Sequence, residues 1–202
     1  MTKIKICGIK RIEDVNVLNE AKPEYTGFVF WDKSKRNVSF ELARLLRKEL
    51  DENIKSVGVF VDRPIDDIVY LATEGIISVV QLHGNESEDT IKELKGRLPA
   101  GTIIVKAFEV SSEDDIRKAN ESSADMVLID SGKGSGVAFD WQLLNSLDRE
   151  YFLAGGLGIE NVASAVSKLH PYAVDVSSKV ETDGFKDADK IHAFIDAVRK
   201  AD

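Results

Sequence analysis

The chain has 202 residues, of which 43% are hydrophobic and 31% charged. This composition fits a globular protein and excludes a disordered or fibrous one. A net charge of −8 argues against a general nucleic-acid binder, because neutralising phosphates needs a basic surface. No run approaches the ~20 apolar residues that span a bilayer, and nothing after Met1 reads as a signal peptide. No membrane partner and a cytoplasmic location are expected.

The first predicted strand, Lys3–Cys7, ends in the only cysteine of the chain, followed at once by Gly8. A lone thiol cannot form an intrachain disulfide or a multi-cysteine metal site, so Cys7 is either packing filler or chemistry. Further strands are predicted over 25–31, 54–62, 77–83, 102–109, 125–131, 151–155 and 172–177. Most are nearly continuous in Val, Ile, Leu and Phe, as parallel strands covered on both faces require.

Helical patterns alternate with them. Leu42, Leu45, Leu46 and Leu50 make one apolar face, and Ile191, Phe194, Ile195 and Val198 another. Pro64 suits a first helical position, Ser112 with Asp115 resembles a capping box, and Asp140 suits the cap of a helix carrying Leu143, Leu144 and Leu147. About eight strand–helix units result, the number that closes a (β/α)8 barrel, whereas open doubly wound sheets usually need about five or six strands. The expected fold is therefore α/β, a compact single-domain barrel over residues 1–202, with short connections and few insertions.

In such barrels chemistry sits at strand C-termini and in the loops that follow. Those positions hold Cys7-Gly8, Arg36, Asp62, His83-Gly84, Lys106, Asp130, Gly155-Gly156 and Ser177-Ser178. The Gly155-Gly156 turn lets backbone N–H groups approach an anion ahead of a helix. Ser177-Ser178 adds hydroxyl donors after the eighth strand, and this pair of loops is a recurrent phosphate position. Asp130, closing Met126-Val127-Leu128-Ile129, is either a partly desolvated general acid or a loop cap. The glycine-rich stretch Gly132–Gly136 behind it is either a closing loop or ordinary surface.

Arg36 can take a carboxylate in a two-pronged bond or simply lie in water. His83 is an acid–base group or a hydrogen-bonding support. Lys106 is a Schiff-base amine if desolvated, or the partner of a nearby acid. Trp31, Phe60 and Trp141 read as core or pocket wall. Neither a nucleotide-binding glycine fingerprint nor a metal-ligand cluster is present.

Taken together, these motifs resemble the phosphoribosylanthranilate isomerase family of tryptophan biosynthesis. The resemblance runs nearly the full length: Lys5-Ile6-Cys7-Gly8-Ile9, Gly27-Phe28-Val29-Phe30 with Ser34-Lys35-Arg36, Val57-Gly58-Val59-Phe60-Val61, Val80-Gln81-Leu82-His83-Gly84, Ile129-Asp130, Phe139-Asp140-Trp141, Ala154-Gly155-Gly156-Leu157 and Val174-Asp175-Val176-Ser177-Ser178. It implies an Amadori rearrangement of N-(5-phosphoribosyl)anthranilate without metal or organic cofactor. Cys7 then matches the general base and Asp130 the general acid. Arg36 matches the anthranilate-carboxylate contact, and the turns at Gly156 and Ser178 the phosphate grip; His83 joins the substrate-binding set. The partner is a small-molecule substrate, and the chain is expected as a monomer or homodimer. One position departs from the family, which usually has glycine where Lys179 stands; a side chain there either hinders backbone approach or adds a cation beside the phosphate. Two other readings are a Schiff-base sugar-phosphate lyase using Lys106 and a non-catalytic barrel that binds a phosphorylated metabolite.

Overall fold

The computed structural model describes residues 1–130 and 141–202. The Ser131 end of the sixth predicted strand, the glycine-rich stretch and the Asp140 cap lie outside the described residues. Eight parallel strands close into a barrel in chain order: β1 (Lys3–Cys7), β2 (Tyr25–Phe30), β3 (Lys55–Phe60), β4 (Val79–Leu82), β5 (Ile103–Glu109), β6 (Met126–Asp130), β7 (Tyr151–Ala154) and β8 (Ala173–Val176). β8 returns to β1, with Lys5 level with Asp175. All eight predicted strands are present. Most are one to three residues shorter than the apolar runs.

The helices are α1 (Ile12–Ala21), α2 (Phe40–Glu49), α3 (Ile65–Thr73), α4 (Glu88–Arg97), α5 (Glu113–Glu121), α6 (Val162–Leu169) and α7 (Ala188–Ala201). Ser39, Ser87 and Asp187 cap α2, α4 and α7 by accepting from Leu42, Thr90 and Lys190 N–H, each worth about 1 kcal/mol. Ser112 caps α5, but Asp115 reaches back to the N–H of Ser111 and the hydroxyl of Ser112. Pro64 stands just before α3 as its extended cap (ψ 135°), not as its first helical residue.

Between β6 and β7 the expected α-helix is a 3-10 helix, Trp141–Ser146. Only Leu144 of its predicted apolar face is fully buried; Leu143 and Leu147 pack partly against the core. None of the helices among the described residues is long and apolar enough to cross a membrane.

Two apolar layers result from the period-two alternation of the strands. Tyr25, Val29, Val57, Val59, Val79, Val105, Leu128 and Phe152 fill the barrel interior. Ile4, Ile6, Phe28, Phe30, Val80, Leu82 and Ile129 face outward against the helices, meeting Leu46, Ile68, Leu71, Ile91, Leu94, Ile191 and Phe194. Each such buried side chain contributes roughly 1.5–3 kcal/mol. On α2 the predicted face is corrected: Ala43, Leu46 and Leu50 form the buried stripe, while Leu45 is 63% exposed. It lies one residue, about 100° of helix rotation, away from Leu46.

A hairpin that the sequence reading did not foresee follows β8. A 3-10 turn (Ser178–Val180) leads into β9 (Glu181–Thr182), which pairs antiparallel with β10 (Phe185–Lys186). Asp183 and Gly184 both have positive φ, the two-residue turn that an Asp-Gly pair favours. Phe185 lies under the Arg11 guanidinium at 4.0 Å and Lys10 at 4.7 Å, fastening the hairpin to the start of α1.

Candidate active site

Cys7 is the last residue of β1 and belongs to the barrel-interior layer, where it is 9% exposed. The chain leaves the strand through Gly8 at φ +85°. A Cβ there would run into Arg36 Cδ. Gly8 therefore does two things: it takes a left-handed conformation and lets Arg36 lie across the backbone beside the thiol.

The Arg36 guanidinium is bound in two-pronged fashion by Glu181, Nε to Oε1 and Nη2 to Oε2, both 2.7 Å. Glu181 also accepts from Lys186 Nζ at 2.8 Å, and Lys186 donates a second bond to the Ser177 carbonyl at 3.0 Å. Burial pushes the Glu181 carboxyl up, but the bonds from Arg36 and Lys186 outweigh it and hold it near 2. Lys186 is 1% exposed, and burial pulls its ammonium down despite Glu181.

On the same inward face of β1 as Cys7, two residues earlier, stands Lys5, also 1% exposed. Its Nζ donates to Asp175 Oδ2 at 2.7 Å across the β1–β8 ladder. The other oxygen, Asp175 Oδ1, is buried with no hydrogen-bond partner among the described residues. Burial pushes the Cys7 thiol up; Lys5 draws it back down, Asp175 opposes that, and Lys186 helps it. Upward wins, so the resting group is a thiol.

Asp130 ends β6 at the same mouth. His83, one residue beyond β4, puts Nε2 3.6 Å from Asp130 Oδ2, too long for a direct hydrogen bond. Its Nδ1 lies 3.0 Å from the amide nitrogen of Gln81, a buried interior residue. With the Gln81 amide assigned in that orientation, the ring nitrogen facing Asp130 carries the proton. Lys106 is occupied: it donates to Gly84 O at 2.6 Å and to the buried Glu86 carboxylate at 3.0 Å. Glu86 in turn accepts from the N–H groups of Asp62 and Gly84. Lys106 is thus a brace of the β3–β5 loops rather than a free amine. Asp62 serves the same brace by accepting from Asn85 N–H at 2.7 Å.

The two expected phosphate turns differ from the sequence picture. Gly155 and Gly156 have φ +92° and +65°, but α6 begins only at Val162, six residues beyond Gly156, so the helix end is not adjacent to them. Asn161 closes the intervening turn, bonding Gly158 N–H and Gly156 O. The Ser177 hydroxyl donates to the Cys7 carbonyl at 3.1 Å, tying β8 to β1, while Ser178 is exposed at the start of the 3-10 turn. Lys179 needs no left-handed backbone, and its ammonium pairs with Glu160 at 2.8 Å.

The structure thus brings Cys7, Arg36, Ser177 and the Glu181–Lys186 pair together around β1 and β8, with His83 and Asp130 on the β4–β6 side. Lys5, Asp175, Glu181 and Lys186 were not singled out from the sequence. For the first two a signal existed: each is a charge inside an apolar strand run, and Lys5 has the two-residue spacing that shares a face with Cys7.

Comparison with known proteins shows the family and the fold. The family profile described as N-(5'-phosphoribosyl)anthranilate isomerase matches residues 4–197. N-(5'-phosphoribosyl)anthranilate isomerase of Endomicrobium trichonymphae is 50% identical over 196 residues, covering 95% of each chain. The crystal structure of phosphoribosyl anthranilate isomerase from Thermotoga maritima is 38% identical and superposes with a TM-score of 0.89, covering 99% of this chain and 100% of that one. A crystal structure of such an isomerase in complex with reduced 1-(o-carboxyphenylamino)-1-deoxyribulose 5-phosphate is 37% identical with a TM-score of 0.87, again covering 99% and 100%.

Proposed function

Because the chain belongs to the N-(5'-phosphoribosyl)anthranilate isomerase family, an enzyme family of tryptophan biosynthesis, we propose that its barrel mouth carries out the Amadori rearrangement with Asp130 as general acid and Cys7 as general base. Residues 1–202 act as one catalytic domain. Asp130 protonates the furanose ring oxygen of phosphoribosylanthranilate. The lone pair of the anthranilate nitrogen then opens the ring to an iminium, so the substrate supplies its own electron sink. Cys7 removes the C2′ proton, and the resulting enolamine tautomerises to the ketone of 1-(2-carboxyphenylamino)-1-deoxyribulose 5-phosphate. No lysine adduct, metal or organic cofactor enters this scheme.

The remaining groups bind. Arg36 takes the anthranilate carboxylate, exchanging or sharing the bond it makes with Glu181. The Gly155-Gly156 turn and the backbone at Ser177-Ser178 take the phosphate, and Lys179, turned from Glu160, adds a cation at its edge. His83 orients Asp130 and lines the substrate pocket. The observation that carries the reading is the pairing of one buried thiol at the end of β1 with one carboxylate at the end of β6, both at the C-terminal mouth of the barrel. The engagement of Lys106 with Glu86 and Gly84 speaks against the Schiff-base lyase.

The test generates the unstable substrate in situ from anthranilate and phosphoribosyl pyrophosphate with a coupling transferase, then follows the loss of anthranilate-type fluorescence. Cys7→Ser and Asp130→Asn should each lower kcat by roughly 10²–10⁴-fold while circular dichroism shows a folded barrel. Normal kcat in Cys7→Ser would refute the general-base assignment. Tight ligand binding without turnover in the unsubstituted protein would instead favour the metabolite-binding barrel.

A further inference from the structure

We propose that the buried Lys5–Asp175 ion pair is the device that makes Cys7 a usable base, Lys5 sharing its ammonium between the Asp175 carboxylate and the Cys7 thiolate. The inference rests on Cys7 being the base of the reaction above; Lys5 and Asp175 act through Cys7 and are positioning residues.

The geometry comes from the strand register. Lys5 and Cys7 project from the same face of β1 into the barrel, and Asp175 lies level with Lys5 on β8. A lysine in an apolar barrel interior costs several kcal/mol in desolvation unless it is paired. A structural pair would satisfy both partners. Here Asp175 uses one oxygen, while Oδ1 stays buried with no partner among the described residues, a cost of about 1–3 kcal/mol that a purely structural pair would not carry. Lys5 has three N–H donors; Asp175 takes one, and on the same strand face the ammonium is the charge that most draws the Cys7 thiol down. The pair is thus incomplete at one carboxylate oxygen, level with the strand that carries Cys7.

Among the described residues, the charges around Cys7 come from five places in the fold. Lys5 on β1 and Asp175 on β8 lie below it, Lys186 approaches from β10, and Arg36 from the β2–α2 loop. Glu181 on β9 neutralises part of the last two. Among the described residues, three cations against two carboxylates leave a net positive setting, which opposes the burial that holds Cys7 as a thiol. Of these cations, Lys5 draws the Cys7 thiol down more than Lys186 does.

The experiment uses the fact that Cys7 is the sole cysteine. Thiolate absorbance in the ultraviolet, with Cys7→Ser as blank, and the pH dependence of iodoacetamide alkylation both report Cys7 alone in the ligand-free protein. Lys5→Met should raise the titration midpoint by about 1–3 units, the usual effect of losing an adjacent opposite charge. Asp175→Asn should lower it, because Lys5 then serves the thiolate alone. In turnover, the Lys5→Met loss at pH 7 should shrink as pH rises, since the thiolate fraction recovers above the raised midpoint. A merely structural lysine would scale the rate at every pH without moving the profile.

An unchanged or lowered midpoint in Lys5→Met, or a raised one in Asp175→Asn, overturns the proposal. If either single variant fails to fold, Lys5→Met/Asp175→Asn removes the pair as a unit, a change that buried pairs often tolerate. A midpoint above that of the unsubstituted protein then supports the proposal, and one equal or below overturns it. The absorbance titration needs no turnover. A failed base assignment, seen as activity in Cys7→Ser, is therefore distinguished from a failed tuning role.

Discussion

Glu181→Gln removes one negative charge from the junction that holds Arg36 and Lys186 while keeping the side chain's shape. The carboxyl is held near 2 against an ordinary 4.5. At about 1.36 kcal/mol per unit that shift corresponds to about 3.4 kcal/mol. The Arg36 partner is partly open to solvent, so screening reduces the retained share to about 2 kcal/mol. For a chain of this size about 2 kcal/mol lowers Tm by roughly 4–8 °C. The pH dependence has a definite sign. The folded-state carboxyl is the more acidic, so its contribution is fully present above about pH 4.5 and is lost as pH falls through about 2. Thermal melts by circular dichroism should therefore show a constant gap between the two proteins from about pH 7 to 5, closing below about 4.5. A gap under about 1 °C at pH 7, or one that widens on acidification, would refute the reasoning that this carboxylate stabilises the hairpin and its cations.

Gly8→Ala should be destabilising by about 1–2 kcal/mol from its left-handed backbone alone, and its Cβ displaces Arg36. KM should rise along with the drop in Tm; an unchanged KM in a destabilised variant would show that Arg36 does not meet the substrate. Lys179→Gly breaks an exposed pair with Glu160, so stability should move by no more than about 0.5 kcal/mol. If Lys179 grips phosphate, KM should change more than kcat, and a selective loss of kcat would contradict a binding role.

The order of elements was legible in the sequence because it is a matter of local pattern. Val57-Gly58-Val59-Phe60 or Val127-Leu128-Ile129 can only be buried strands, and Ser112 marks a helix start by the local hydrogen bond its side chain makes. The same logic places Cys7 and Asp130 at strand ends. Where the local signal was ambiguous the reading slipped. Leu45 fitted a leucine stripe but lies off its axis, and 141–146 satisfied an apolar spacing that a 3-10 helix meets less fully. The Asp183-Gly184 turn signal was there to be read, yet the two-residue strands beside it are too short to show periodicity.

Composition and periodicity thus determined a (β/α)8 barrel with a thiol and a carboxylate at its mouth, because burial and capping act over a few residues. The tertiary structure decided what surrounds the thiol. Lys5 and Asp175 are 170 residues apart and Arg36 and Glu181 are 145 apart; only barrel closure of β8 onto β1 and the return of the hairpin bring them within hydrogen-bond distance. Electrostatic interaction depends on separation in space and on exclusion of water. The charge setting of Cys7 is therefore a property of the closed barrel, which no single strand of the chain contains.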